Sequence, residues 1–244
     1  MANILAITKR ELHSYFGTPI AYVFLAIFVA LTGVFAFYIG IFFDRGEADL
    51  KPFFEYHPWL YLLLVPAISM RLWAEERKSG TIELLMTLPV STLEAVVAKF
   101  LAGWVFLAIA LILTFPMWIS VNILGEPDNG IILASYIGSL LMAGAFLAIG
   151  ASISALTRNQ VIAFVVASVV CFIFVMNGTD IVLDVFRDWL PDVLLSAISS
   201  LSFLTHFEDI SRGVIDLRDI VFYVSLICFF LFVNTVVIGL KKAE

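Results

Sequence analysis

The chain has 244 residues, 62% of them hydrophobic and 14% charged, with a mean hydropathy of +1.05. Soluble domains carry about 45–50% apolar and about 25% charged residues, so this composition predicts a membrane protein without a sizeable soluble domain. The net charge of −6 gives no indication of nucleic-acid binding. The only cysteines, Cys171 and Cys228, lie in apolar segments and are interpreted as small buried hydrophobes rather than disulfide or metal-site residues.

Six apolar segments are predicted to cross the membrane, since a bilayer core about 30 Å thick needs about 20 apolar residues per helix. They cover about residues 20–43, 56–73, 97–121, 133–156, 160–177 and 219–240. The second segment is short and contains two prolines, Pro58 and Pro66. No Ala-x-Ala cleavage site follows the first segment, which is also longer than a signal-peptide core. The predicted fold is a single all-α, polytopic transmembrane domain over residues 1–244.

The distribution of charge predicts how these spans are oriented. With six spans, both termini and the connections after the second and fourth spans share one side. That side carries nine of the fourteen Lys and Arg residues but only six of the twenty Asp and Glu residues. Because basic residues accumulate in the cytoplasm, this side is predicted to be cytoplasmic, in a bacterial inner membrane.

Residues 3–16 (NILAITKRELHSYF) are predicted to form an amphipathic helix that ends before Gly17, Thr18 and Pro19. The predicted apolar face carries Ile4, Leu5, Thr8, Leu12, Tyr15 and Phe16, and the opposite face carries Asn3, Lys9, Arg10 and His13. Such a helix is typical of the membrane interface. The alternative is a frayed N-terminal tail.

The most informative stretch is the charged island at residues 71–91 (RLWAEERKSGTIELLMTLPVS), which separates two apolar spans. Its first part, from Leu72 to Lys78, is predicted to extend the second span. Gly80 permits the chain to reverse, and residues 81–87 are predicted to form a short helix that Pro89 ends. Ser91 and Glu94 have the spacing of a capping box, which predicts a new helix there. The alternative is a solvated loop that only joins two spans.

The last external connection, residues 178–218, is predicted to contain helical pieces. Four aspartates, Asp180, Asp184, Asp188 and Asp192, recur every four residues, with Arg187 as partial relief of their repulsion. We interpret them as a solvated acidic face rather than a calcium site, because helical spacing does not form a loop cage. The apolar residues 193–204 are too short to span and predict a re-entrant or interfacial segment.

The sequence carries little chemistry of its own. It has no G-x-x-x-x-G-K-[ST] phosphate loop and no H-E-x-x-H motif. The three histidines, His13, His57 and His206, are scattered and are interpreted as interfacial or structural. No ionisable residue lies near the middle of a predicted span, which argues against an ion-coupled transporter. The chain is therefore predicted not to be an enzyme and to hold no cofactor.

The amphipathic helix (KRELHSYFGTPIAYV), the six spans and the block E-x-R-K-S-G-T-I-E-L-L-M-T-L-P-V-S together resemble an ABC-2-type permease of an ATP-binding-cassette transporter. The segment HFEDISRGVIDLRDIVFY is similar to the branch of gliding-motility and nitrous-oxide-reductase-maturation permeases. The resemblance covers essentially the whole chain. Its most specific part is the block from Glu75 to Ser91.

The resemblance implies a role for each segment. Residues after the second span would form a coupling helix that docks on the ATPase: Glu75, Arg77, Gly80, Thr81, Ile82, Glu83, Leu84, Leu85, Met86 and Pro89. The N-terminal helix, with Lys9, Arg10 and Glu11, would be the interfacial connecting helix. Residues 178–218 would cap the pathway externally.

The implied partners are two ATPase subunits that bind ATP and Mg²⁺, a second permease copy or paralogue, membrane lipid and, in some assemblies, an external accessory protein. Two other functions remain open on the residues alone. One is a membrane anchor or assembly scaffold without transport of its own. The other, an integral-membrane enzyme, lacks convergent polar groups.

Overall fold

The computed structural model describes residues 2–82, 90–187, 191–214 and 216–241, and every regular element within these ranges is a helix. This confirms the all-α prediction. The helices are α1 (Ala2–Phe16), α2 (Pro19–Val34), α3 (Lys51–Phe54), α4 (His57–Ser69), α5 (Arg71–Ser79), α6 (Thr92–Ile112), α7 (Phe115–Leu124), α8 (Asn129–Leu156), α9 (Gln160–Met176), α10 (Asp180–Arg187), α11 (Asp192–Ser199), α12 (Phe203–Ser211) and α13 (Leu217–Lys241).

Helix α8 is the centre of the fold. It packs against α4, α6, α9, α12 and α13. Small residues let these helices approach closely, because a Cβ atom at Gly150 would overlap the hydroxyl of Ser69 on α4.

Four helical segments in the described residues are long and apolar enough to cross a membrane: Pro19–Ile39, Thr92–Leu124, Asn129–Leu156 and Leu217–Leu240. Two predicted spans fall on shorter helices, α4 with 13 residues and α9 with 17. The prediction of six spans is therefore not confirmed by helix length and stays a prediction. Helix α5 follows α4 after Met70 and extends it on the predicted cytoplasmic side, as expected for Leu72 to Lys78.

The structure corrects the extent of the first predicted span. It was expected to reach residue 43, but α2 continues as a π-helical turn at Phe35–Ile39 and stops at Gly40. The third predicted span, about 97–121, falls within the apolar segment Thr92–Leu124, in which the helix is interrupted between α6 and α7. Pro116 lies in the first turn of α7, where its missing N–H costs nothing, and a proline there favours a helix start over continuation of α6.

The predicted external connection contains α10, α11 and α12. Helices α11 and α12 meet at a bend of 67°, which is the geometry of a broken span or a re-entrant loop. In α10, Arg187 pairs with Asp184 at 2.9 Å, so this arginine does relieve part of the acidic repulsion. Asp188 lies outside the described residues.

Two histidines connect helices at the same end of the molecule. His57 is buried, and its Nδ1 atom lies 2.8 Å from the hydroxyl of Ser139 on α8. The Nδ1 atom of His206 lies 2.6 Å from a carboxylate oxygen of Asp219 on α13. These contacts support a structural interpretation of both side chains.

Candidate coupling site

The polar residues of the charged island are attached to neighbouring helices at one end of the bundle. The first attachment is Ser154, near the end of α8. Its hydroxyl donates to the carbonyl oxygen of Met70 at 2.8 Å and accepts from the backbone N–H groups of Trp73 and Ala74 at 3.2 and 3.1 Å. The Ser154 side chain thus inserts between the backbone hydrogen-bonding groups at the junction of α4 and α5. Insertion of a side chain into a helix hydrogen-bond ladder is a recognised cause of a helix break.

Arg77 provides a second attachment between α5 and α8. Its guanidinium donates to the carbonyl oxygen of Ala155 at 2.7 Å. Lysine and arginine side chains commonly satisfy the last carbonyl groups of a helix, where the helix dipole also favours positive charge. The C-terminal end of α8 is therefore held against α5 by both Ser154 and Arg77.

Lys99, on α6, forms the third attachment. Its side chain is only 3% exposed, and its ammonium group lies 3.1 Å from a carboxylate oxygen of Glu11 and 2.7 Å from one of Glu76. The same ammonium group lies 5.2 Å from the centre of the Trp73 ring, within cation–π range. One buried cation thus connects α1, α5 and α6. We call Glu11, Glu76 and Lys99 the ion cluster.

Within the ion cluster, the surroundings of Glu11 favour its charged form. Burial of Glu11 by itself disfavours the carboxylate, but the attraction of Lys99 and hydrogen bonds from Arg10 and Lys99 outweigh it and lower the pKa of Glu11. Next to the cluster, Arg71 donates to Glu75 at 2.9 Å.

The lowered pKa of Glu11 predicts a loss of stability in acid. A depressed pKa in the folded chain contributes stability that is fully present above the unfolded glutamate pKa and is lost as the pH falls through the lowered value. We expect the melting temperature in detergent to fall over this acidic window and to do so less steeply for Glu11→Gln. Glu126→Gln, at an exposed position without a charged partner among the described residues, is the control and should keep the wild-type profile. Parallel profiles for wild type and Glu11→Gln would contradict the assignment.

The structure places several of the predicted coupling residues. Glu75 is exposed and paired with Arg71, while Arg77 contacts Ala155. Gly80 ends α5 with a φ of +75°, the left-handed conformation that favours glycine. Thr81 and Ile82 are helical, which fits the start of the predicted short helix, and Ile82 packs against the core. The remaining predicted residues, Glu83, Leu84, Leu85, Met86 and Pro89, lie outside the described residues.

The predicted capping box at the start of α6 is confirmed. The hydroxyl oxygen of Ser91 accepts from the Glu94 N–H at 3.2 Å, and the Glu94 carboxylate accepts from the Ser91 N–H at 3.0 Å. The Ser91 N–H and the Ser91 hydroxyl both donate to the Glu94 carboxylate, and these bonds lower the pKa of Glu94. The end of the charged island is therefore a well-defined helix start that leads directly to Lys99.

The N-terminal helix is present as predicted, and Leu12, Tyr15 and Phe16 of its predicted apolar face pack against the core. Leu5 was placed on the apolar face, yet it is 73% exposed, whereas Ile7 is 7% exposed. The face that packs on α6 also carries Glu11, because this carboxylate pairs with Lys99. Lys9 and Arg10 are exposed, as the interfacial prediction requires.

Nothing in the sequence singled out Ser154 or Trp73. Lys99 was counted only among the nine basic residues that predict the orientation of the spans in the membrane. The available signal was Lys99 itself, a lone charge in the apolar run VVAKFLAGW. A buried lysine needs a carboxylate partner, since an unpaired charge in the interior is very costly. Nothing in the local sequence showed that Lys99 has two carboxylate partners, one on α1 and one on α5.

These observations define a class: an integral membrane protein of long apolar helices whose charged connection is firmly joined to several of them. A family model for the ABC-2 family transporter proteins matches residues 60–189, more than half of the chain and inclusive of the charged island. The chain belongs to this family and is a membrane permease component of an ABC transporter, which implies an ATPase partner. No curated protein matches the chain at a significant level.

Proposed function

We propose that this chain is the permease of an ATP-driven exporter, or of a complex that transmits force across the membrane. Separate ATPase subunits would dock on the segment after the second span, around Gly80, and drive the permease from the cytoplasm. The observation that carries this proposal is the contact of Lys99 with both Glu11 and Glu76. It joins the island to the N-terminal helix and to the third span.

The attachments of α5 support force transmission in particular. The helix is fixed to α8 by Ser154 and Arg77 and to α6 by Glu76. A displacement at Gly80 would therefore move four helices together rather than bend a loose connector. A scaffold would need only a docking surface, and nothing in scaffolding requires the docking segment to be joined to α6 and α8.

The assembly that we propose contains two permeases and two ATPases in the bacterial cytoplasmic membrane, with both termini in the cytoplasm and six spans. The distribution of basic residues supports this orientation. The similarity of residues 206–223 to the gliding-motility and nitrous-oxide-reductase-maturation branch supports placing the chain there. ATP and Mg²⁺ would be bound by the ATPase partner.

Gly80→Ala tests the docking assignment. The left-handed conformation costs a non-glycine residue about 1–2 kcal/mol, so the free variant should leave this turn, and restoring the turn on docking should weaken ATPase capture by about fivefold to thirtyfold. No atom of the described residues lies within 4 Å of the added Cβ, so the fold itself should be preserved. The measurement is the affinity of the purified chain for a co-expressed ABC ATPase from the same genome.

Two control variants accompany this test. Gly80→Asn should retain most of the affinity, because asparagine tolerates the left-handed region. Gly33→Ala adds a methyl group at another glycine without neighbours within 4 Å and should bind normally. Unchanged capture by Gly80→Ala would refute docking through this turn. Capture with ATP hydrolysis that is insensitive to the ion cluster would favour the scaffold function.

A further inference from the structure

The three connections predicted to be external converge around one cavity of 620 Å³. Its walls come from α3 and the start of α4, from the start of α8, and from α12. Cavities of about 300–1,000 Å³ are typical of small-molecule sites. The cavity lies at the opposite end of α8 from Ser154, so it is separate from the coupling site.

The inner surface of the cavity is apolar and aromatic. Leu50, Phe54, Ile132 and Phe207 line it and are almost completely buried. Trp59, at the start of α4, also lines it but is 40% exposed, so its ring is accessible. The Trp59 ring can therefore offer a π-face to a ligand, while Phe54 and Phe207 add to the hydrophobic floor of the cavity.

Carboxylates dominate the charged part of the lining. Asp49 and Asp128 are held in place by hydrogen bonds from the backbone N–H groups of Lys51 and Gly130, respectively. Two exposed glutamates, Glu55 and Glu208, complete the set of four.

The basic groups of the lining do not balance these carboxylates. There are two, Lys51 and Arg212. The guanidinium group of Arg212 is already shared with Glu208 at 3.8 Å and with Asp209 at 3.7 Å. The lining therefore has a net negative charge and favours a positively charged ligand.

We propose that this cavity binds a lipophilic organic cation: a drug-sized, largely apolar body with a quaternary or delocalised positive charge. Aromatic faces attract such a charge through the ring quadrupole, and they do so without the dehydration cost of a compact ammonium ion. The apolar floor would hold the body of the ligand and the carboxylates would select its sign. A bound cation would also join α12 to the starts of α4 and α8.

The probe is tetraphenylphosphonium, with tetraphenylborate as an anion of nearly the same shape. Binding of each ion is measured by equilibrium dialysis against the full chain in nanodiscs of zwitterionic lipid, with empty nanodiscs subtracted. We expect saturable binding of the phosphonium and none of the borate. The assay contains no ATPase and no nucleotide, so its outcome does not depend on the coupling function.

Three variants locate the bound ion. Trp59→Leu keeps the hydrophobic contact but removes the indole face, and should weaken phosphonium binding by about twofold to fivefold. Glu55→Gln combined with Glu208→Gln should weaken it by about threefold to tenfold. All three side chains are at least partly exposed, so the fold should persist. Asp184→Asn, on α10 and outside the cavity, should bind like wild type.

Three results would overturn the proposal. The first is the absence of saturable phosphonium binding above empty nanodiscs. The second is equal binding of tetraphenylborate, which would show that the cavity does not select for charge. Such a cavity would bind a lipid tail or an apolar protein segment instead. The third is unchanged affinity in both the Trp59 and the glutamate variants, which would place the ion elsewhere.

Discussion

Lys99→Met is expected to lower the free energy of unfolding by about 3–5 kcal/mol, the usual cost of removing one partner from a buried ion pair. The reason is that Glu11 and Glu76 would remain close together without the cation between them. Like charges at such a distance repel, and each has lost part of its hydration. Thermal and denaturant unfolding in detergent, followed by circular dichroism, measures the effect.

A combined variant separates charge from packing. Lys99→Met together with Glu11→Gln and Glu76→Gln removes all three charges and should recover most of the lost stability, because neutral groups of similar size replace a buried ion cluster at little net cost. If the triple variant were as unstable as Lys99→Met, the lysine would matter through its shape or through Trp73 rather than through the two carboxylates.

The triple variant also tests force transmission. It should fold and bind the ATPase, yet couple ATP hydrolysis to transport less well, because the methionine side chain at position 99 offers no donor to replace the charge-assisted bonds that hold α1 and α5 to α6. The relevant readout is the ratio of substrate-stimulated to basal ATPase activity in liposomes. A wild-type ratio in the folded triple variant would show that the ion cluster serves stability alone.

Ser154→Ala is expected to cost about 1–3 kcal/mol for each buried backbone group that loses its partner. The hydroxyl of Ser154 accepts from two N–H groups, those of Trp73 and Ala74, and donates to the carbonyl oxygen of Met70. The loss should be local, at the junction of α4 and α5. Hydrogen exchange of a peptide covering residues 71–79 should therefore accelerate more than exchange elsewhere.

Ser152→Ala is the matched control on the same helix. Ser152 is also buried, but its hydroxyl only donates to the carbonyl oxygens of Ala148 and Phe230. Its removal leaves no N–H group without an acceptor, so the expected cost is about 0.5–1.5 kcal/mol, the ordinary net value of a hydrogen bond. Equal destabilisation by both substitutions, with uniform exchange across α5, would argue against a special role for Ser154 at the junction.

Local features of this protein could be predicted from sequence because their causes are local. The capping box depends on two residues three positions apart, Ser91 and Glu94, and forms as expected. The turn at Gly80 depends on one residue without a Cβ atom. The all-helical class follows from long apolar segments, since only helices or closed barrels satisfy the backbone within a bilayer.

Features that depend on distant residues could not be predicted in the same way. The position of α6 determines that Ile7 rather than Leu5 is buried on α1. A hydropathy pattern contains no information about the position of α6. The break between α6 and α7 had a local signal in Pro116, which the continuous apolar pattern obscured. Ser154 looked like one more small residue on α8, although its partners are backbone groups of another helix.

The ion cluster also constrains how the protein is assembled. Glu11 and Lys99 are 88 residues apart, so during synthesis the N-terminal helix emerges well before the span that carries its partner. Until Lys99 arrives, Glu11 has to remain hydrated at the membrane surface, because an unpaired buried carboxylate is unfavourable. Seating of the N-terminal helix is therefore expected late in biogenesis, only after the apolar segment Thr92–Leu124 has been inserted in the correct position.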